Sequence, residues 1–357
     1  MTGPREQFRP EDHDNDHFLL TSVVGSYPKP KWHDRAKELF EDPDADFGEK
    51  EWEEAKDDAA KLITEEHEHA GLDTVCDGEM RRNEMVEYFA ELIDGYEFNG
   101  RVKVWGHNYF DKPSIESEVE YGEEWLVDEY KFTSSVSDRP VKVPITGPYT
   151  LARWAFNEAY ETTEDATYAL ADLVNEEIER LVDAGCKYIQ IDEPALAQYE
   201  DDHAIVGEAL ERIADGVPDD VRLGLHVCYG DYSRIYPEML DYPVHEYDLE
   251  LANGDYEQLD VFKADEFTKD FAMGVVDAHV AEVESVEEIK ENIKKGLEVV
   301  PPEQLTVSPD CGIKLLPREV AYGKMENMVQ AAREIEQELD AGEIEVRAGG
   351  AEASADD

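Results

Sequence analysis

The chain is poor in cysteine and in basic residues. Its four cysteines, Cys76, Cys186, Cys228 and Cys311, are too scattered to form a disulfide framework, and a chain of 357 residues buries a core without covalent staples. Lys and Arg number 33 against 88 Asp and Glu, a formal net charge of −55. Without a basic stripe to neutralise phosphates, nucleic acid is excluded as a partner. No apolar run reaches the roughly 18 residues of a membrane span. The segment "TGPREQFRPEDHDNDH" behind Met1 is too polar for a signal peptide. GxGxxG and GxxxxGK[ST] are both missing, so no nucleotide-phosphate loop is expected. These absences predict a soluble, cytoplasmic protein with no membrane partner.

What is present is a globular composition under an acidic coat. Hydrophobic residues make up 41%, too many for a disordered acidic segment, and the acids run along the whole length. A uniformly acidic surface that keeps a folded protein soluble is a halophile device. Polar flanks at 1–16 and 342–357 are expected to be flexible, leaving 17–341 as a single domain. Within it, eight short β-like runs alternate with segments of helical period: 18–24, 72–77, 141–146, 187–192, 222–228, 244–250, 272–278 and 304–308. Most read as continuous apolar stretches, as strands buried on both faces do. Helical segments lie at 48–70, 164–184, 284–299 and 318–339. This alternation predicts an α/β fold, a (β/α)8 TIM barrel. Residues 97–136, rich in aromatic and β-branched types, are read as a β excursion between the second and third strands.

In such a barrel the active site is built where strands end. Those ends carry Gly25-Ser26, Gly78-Glu79, Gly147-Pro148, Asp192-Glu193, His226 with Cys228, Glu250, His279 and Asp310-Cys311. His226 and Cys228, at i and i+2, face the same side of one strand. With Glu250 and Cys311 they form an N/S/O donor set suited to tetrahedral Zn2+. The competing reading makes the cysteines small buried hydrophobes and His226 a satisfied core residue. Cys76 and Cys186 are read as core residues in either case. Glu79 and Asp192 offer carboxylates to an ammonium, and the Gly25-Ser26 turn offers a backbone N–H and a hydroxyl to a carboxylate. Plain salt bridges to barrel cations are the alternative for both acids. His279 is a candidate general acid or base. His67 and His69, in "TEEHEHAG", are read as solvated or interface residues rather than ligands.

The stretches "TSVVGSYPKP", "DGEMRRNEMVEYF", "TGPYTLARWAF", "IQIDEPAL", "LHVCYG", "VVDAHVAEVESVEEI" and "SPDCGIK" resemble the catalytic barrel of cobalamin-independent methionine synthase, in family order, from about residue 20 to 335. The resemblance implies zinc on His226, Cys228, Glu250 and Cys311, and homocysteine held at Gly25, Ser26, Glu79 and Asp192. It further implies His279 as the catalytic acid and Trp154 on the methyl-donor side. Two positions depart from the family pattern: Gly230 stands where a serine is usual, and "DAHVAEV" lacks the Ser-Pro-Arg that follows the histidine. The length matches a short, core-only archaeal form. Its donor is then a methyl-tetrahydropterin or methyltetrahydrofolate, or a methylated corrinoid protein. Two alternatives stay open: a zinc-dependent corrinoid methyltransferase acting on another small thiol, and a non-catalytic zinc-binding subunit beside a second synthase-like chain.

Overall fold

The computed structural model describes residues 4–11, 13–104 and 108–344. β1 (Leu20–Thr21) leads to α1 (Lys31–Glu41), α2 (Glu49–Ala70) and α3 (Glu87–Leu92). An antiparallel hairpin, β2 (Ile93–Val104) and β3 (Asn108–Tyr121), and α4 (Val127–Val136) follow. Then come β4 (Lys142–Thr146), α5 (Pro148–Arg153), the two-residue β5 (Phe156–Asn157), α6 (Thr163–Asp183) and β6 (Tyr188–Asp192). The remainder is α7 (His203–Ala214), β7 (Arg222–Val227), β8 (Glu246–Leu249), β9 (Asp270–Val276), α8 (Val286–Leu297), β10 (Leu305–Pro309) and α9 (Arg318–Asp340).

Seven strands pair in parallel in the order β1-β10-β9-β8-β7-β6-β4. The gap between β1 and β4 is spanned by residues 73–75. The N–H groups of Asp73 and Thr74 donate to the Thr21 carbonyl at 3.2 and 3.3 Å, and Val75 bridges Val141 in parallel. The predicted second strand is thus a single bridge that completes the eight positions of the TIM barrel. It stops early because the chain turns sharply at Gly78 and Glu79, with φ of +68° and +57°. A non-glycine residue in that region carries strain, of the kind found at functional sites.

The strands alternate more strictly than their apolar appearance suggests. In β7 and the residue after it, Arg222, Gly224, His226 and Cys228 share one face, while Leu223, Leu225 and Val227 share the other. Glu246, Asp248 and Glu250 repeat this on the β8 segment, and Tyr188, Gln190 and Asp192 on β6. The barrel interior is therefore polar and layered. Arg222 bonds Glu246 and Asp270, each at 2.6 Å, and above them Lys142 meets Asp248 at 3.1 Å with both side chains fully buried. Breaking such a buried pair from one side costs about 3–5 kcal/mol, because it strands the other charge.

Two expected boundaries move. The excursion is a hairpin over 93–121, and its last part is helical: Glu129 and Thr133 of α4 are buried one turn apart, and α4 packs on α2 and α6. The expected flexible N-terminus has a packed part. Pro4–Phe8 forms a 3-10 turn in which Arg5 and Phe8 are buried. Arg5 donates to Thr306 Oγ1 at 2.9 Å, and the Phe8 ring lies 5.2 Å from that of Tyr188. One cation and one ring plug the floor of a polar barrel, a role too sparse to show as an apolar run. The tail expected at 342–357 lies, from 345 onward, outside the described residues.

Candidate active site

Three of the four predicted metal ligands converge at the upper rim. The imidazole nitrogen of His226 and the sulfurs of Cys228 and Cys311 lie within 4.8 Å of one another. The parallel register sets His226 beside Asp192 on β6 and Asp248 on β8. His226 Nδ1 lies 3.0 Å from the Asp248 carbonyl, so its N–H donates there and fixes the tautomer. Nε2 is left buried, without a hydrogen bond of good geometry, facing the Cys311 sulfur. A buried imidazole nitrogen that converges with two cysteine sulfurs fits a soft divalent ion.

Charge within the trio is shared. The hydrogen bond between the sulfurs holds the Cys311 thiol well below its usual value, against the effect of burial, with His226 adding to the fall. The same bond, reinforced by burial, lifts the Cys228 thiol well above it. Glu250 does not join the trio within that distance. Its carboxylate accepts from the Tyr229 N–H at 3.0 Å and from Asn253 Nδ2 at 2.8 Å. Burial raises its pKa and Cys311 raises it further, so it faces the sulfurs without touching all of them.

The predicted substrate residues lie alongside. A Cβ on Gly25 would stand 2.6 Å from Glu79 Oε1, and one on Gly312 would overlap Ser26 Oγ. The first and last strand ends therefore meet at glycines, and the Ile313 N–H donates to the Ser26 carbonyl at 2.8 Å. Glu79 is half-buried and lies 3.9 Å from Arg82. Asp192 is buried and accepts from Gln190 Nε2 at 2.7 Å. Burial pushes its carboxyl up to about 7; His226 opposes the rise and Glu79 adds to it. The two carboxylates thus sense each other across the site. Neither depends on a simple ion pair, although Glu79 has a distant one. Trp154 is half-buried at the end of α5.

His279 stands exposed at the end of β9, with Nδ1 3.1 Å from Asp277 Oδ1. Its Nε2 is hydrogen-bonded to the Tyr229 hydroxyl, and the two rings meet edge-on at 5.4 Å. Three residues given no role from sequence prove structural here. Glu193 accepts from the N–H groups of Tyr149 and Thr150 at 2.9 and 2.8 Å and so anchors the first turn of α5. Asp310 accepts from the N–H groups of Leu251, Ala252 and Asn253, at 2.8, 2.8 and 2.6 Å, and fixes the turn behind Glu250. Tyr229, at φ +62°, bridges Glu250 and His279. The available signal was the glycines: a Cβ on Gly147 or Gly274 would overlap the carboxylates of Glu193 and Asp310. Of the two histidines read as solvated or interface residues, His67 is buried edge-on to Tyr27 and His69 is exposed. Cys76 and Cys186 are buried as expected.

A closed parallel barrel with imidazole, thiol and carboxylate groups gathered at the C-terminal rim defines an α/β-barrel enzyme with a candidate metal centre. Residues 19–334 match the family described as the catalytic domain of cobalamin-independent synthase, and the chain belongs to that family. It is a methyltransferase of the methionine-synthase type. The methionine synthase of Sulfurisphaera tokodaii is 42% identical over 323 residues, covering 90% of this chain and 94% of its own. That of Thermococcus kodakarensis is 42% identical over 327 residues, covering 90% and 95%. A solved B12-independent methionine synthase from Shewanella sp. W3-18-1, in complex with selenomethionine, superposes with a TM-score of 0.81. It is 25% identical and covers 90% of this chain and 99% of its own. Among the described residues, no helix is long and apolar enough to cross a membrane.

Proposed function

We propose that the chain methylates the thiol of homocysteine to give methionine at a zinc ion held by His226, Cys228 and Cys311, with Glu250 as a fourth, exchangeable ligand. The observation that carries this reading is the convergence of the His226 imidazole nitrogen with the sulfurs of Cys228 and Cys311, next to the paired carboxylates Glu79 and Asp192. When bound, zinc supplies the acidity that turns a weakly acidic substrate thiol, with a free pKa near about 8.5, into a thiolate nucleophile at neutral pH.

The remaining work belongs to the chain. Glu79 and Asp192 receive the substrate ammonium, whose charge relieves the burial cost that raises the Asp192 pKa. Ser26 and the turn at Gly25 receive its carboxylate. Together they orient the sulfur toward the incoming methyl group. Asp277 orients His279, and the Tyr229 hydroxyl occupies the other ring nitrogen. His279 donates a proton to the departing nitrogen of a methyl-pterin or methyl-folate donor; a methylated corrinoid donor needs no such proton. Trp154 lies on the donor side, on the short helix that Glu193 anchors.

Metal analysis of the purified protein tests the centre directly. One zinc per chain is expected, and Cys311→Ala should lose it, together with methionine formation, while keeping its circular dichroism spectrum. Full activity in a zinc-free preparation would sink the reading. A donor panel of methyltetrahydrofolate, a methyl-tetrahydropterin and methylcobalamin, each with homocysteine, identifies the methyl source.

A further inference from the structure

The two ends of the proposed amino-acid site are built on strands that do not touch. Gly25 and Ser26 follow β1, whereas Asp192 ends β6, and in the sheet order β1-β10-β9-β8-β7-β6-β4 four strands lie between them. On the other side stand β4 and the 73–75 segment. The backbone ladder therefore links turn and carboxylate only through several intervening strands. A free α-amino acid carries its ammonium and carboxylate on one carbon. A site that reads both must hold its own two poles to within about 0.5 Å.

One side chain crosses the gap directly. Gln190, fully buried on the inner face of β6, donates through Nε2 to the Val24 carbonyl at 3.0 Å and to Asp192 Oδ1 at 2.7 Å. Val24 is the residue before Gly25, so one amide nitrogen holds both the turn and the carboxylate. A carbonyl and a carboxylate only accept, which fixes the amide with its nitrogen toward them. Oε1 is then left buried without a hydrogen-bond partner. Its neighbours in register are Pro144 and Gly224, whose side chains have no donor to offer. The unsatisfied oxygen is a cost to folding, and what the amide gives in return is the link between turn and carboxylate. On the β1 side the turn is already held. Lys142 Nζ donates to the Val23 carbonyl at 2.6 Å and to Asp248 at 3.1 Å. A Cβ on Gly25 would meet Pro144 at 3.0 Å as well as Glu79, so the turn is wedged between them. Gln190 ties this held turn to Asp192.

We infer that Gln190 is a positioning residue that determines specificity for α-amino-acid thiols, by fixing the Gly25-Ser26 turn and Asp192 at the spacing of a carboxylate and an ammonium on one carbon. The inference rests on the roles proposed above for that turn and that carboxylate. Gln190 acts through Val24 and Asp192 and takes no part in the methyl transfer itself. Its loss widens the choice of thiol. Homocysteine, which must satisfy both poles at once, is penalised when their spacing drifts, whereas a thiol with a single charged end follows whichever pole it touches.

The test is calorimetric titration of the zinc-loaded full chain, without a methyl donor, with three thiols. They are homocysteine, γ-mercaptobutyrate, which lacks the ammonium, and aminopropanethiol, which lacks the carboxylate. The unaltered protein should bind homocysteine most tightly. Gln190→Met should weaken homocysteine by about tenfold, while the two analogues change little and the zinc content stays at that of the unaltered protein. Gln190→Glu keeps the shape and removes both N–H groups. It should give the same pattern, and it stands in where Gln190→Met does not fold. An unchanged preference for homocysteine in a folded variant, or an equal loss for all three thiols, overturns the inference. Absence of that preference in the unaltered protein overturns the substrate reading, and the inference with it, so the two failures are distinct.

Discussion

Asp310 fixes the turn behind Glu250, the carboxylate proposed above as the fourth zinc ligand. Its two oxygens accept three consecutive backbone N–H groups at 251–253, directly behind Glu250. Gly274 leaves the space it needs. Asp310→Asn substitutes an amide that cannot accept on both sides, so at least one buried N–H loses its partner, at a cost of about 1–3 kcal/mol. The turn then loosens around Glu250. The expected outcome is a 10- to 100-fold weaker zinc affinity, measured by competition with a chromophoric chelator, and a lower melting temperature. An unchanged zinc affinity would show that the turn does not position Glu250. The proposed ligand differs in kind: Cys311→Ala is expected to abolish zinc binding, and Asp310→Asn only to weaken it.

At the level of elements, α3 and α4 are joined to the barrel by a buried polar cluster. Glu129 on α4 accepts from the Tyr88 hydroxyl on α3 at 2.7 Å and lies 3.7 Å from Arg82. Burial, with Asp77 adding to it, raises the Glu129 carboxyl to about 7, while Arg82, Arg81 and Tyr88 pull the other way. An acid whose folded pKa exceeds its unfolded value, about 4.3 for Glu, binds more protons when folded. Its contribution to stability is full below the unfolded value and is lost as pH rises through about 7. Glu193 on the β6–α7 side shifts the same way for the same reason, burial. The melting temperature should therefore fall as pH rises from mildly acidic to mildly alkaline. Glu129→Gln should flatten part of that slope in thermal melts followed by circular dichroism. A variant slope equal to the wild-type slope would remove Glu129 from the account.

For the whole molecule the dominant fact is self-repulsion. A net charge of −55 spread over the surface opposes compaction, and salt screens it. Stability should rise steeply with KCl, in calorimetric scans, before levelling off, and a flat response would argue against the halophile reading. The interior runs to the opposite limit. There the charges are paired at close range, as Arg222 with Glu246 and Asp270 and Lys142 with Asp248, and salt has little access to them.

Much of this molecule was legible in one dimension. Eight apolar runs between helical segments determined the barrel, and residue types at the ends of those runs marked the rim, because chain order around a parallel barrel follows sequence order. The i, i+2 spacing of His226 and Cys228 placed both on one face, since strand periodicity is a local property. The packing decided the rest. For His226 the packing supplied its convergence with the sulfurs of Cys228 and Cys311, which no local pattern encodes. The roles of Asp310 and Glu193 depended on backbone N–H groups far away in sequence, and the plug formed by Arg5 and Phe8 on partners some 180 to 300 residues distant. The grouping of Lys29, Arg82 and Lys314 around one cavity beside Ser26 appeared only when loops from both ends of the chain were folded together. Local periodicity determines which face a side chain takes; only tertiary structure determines what that face meets.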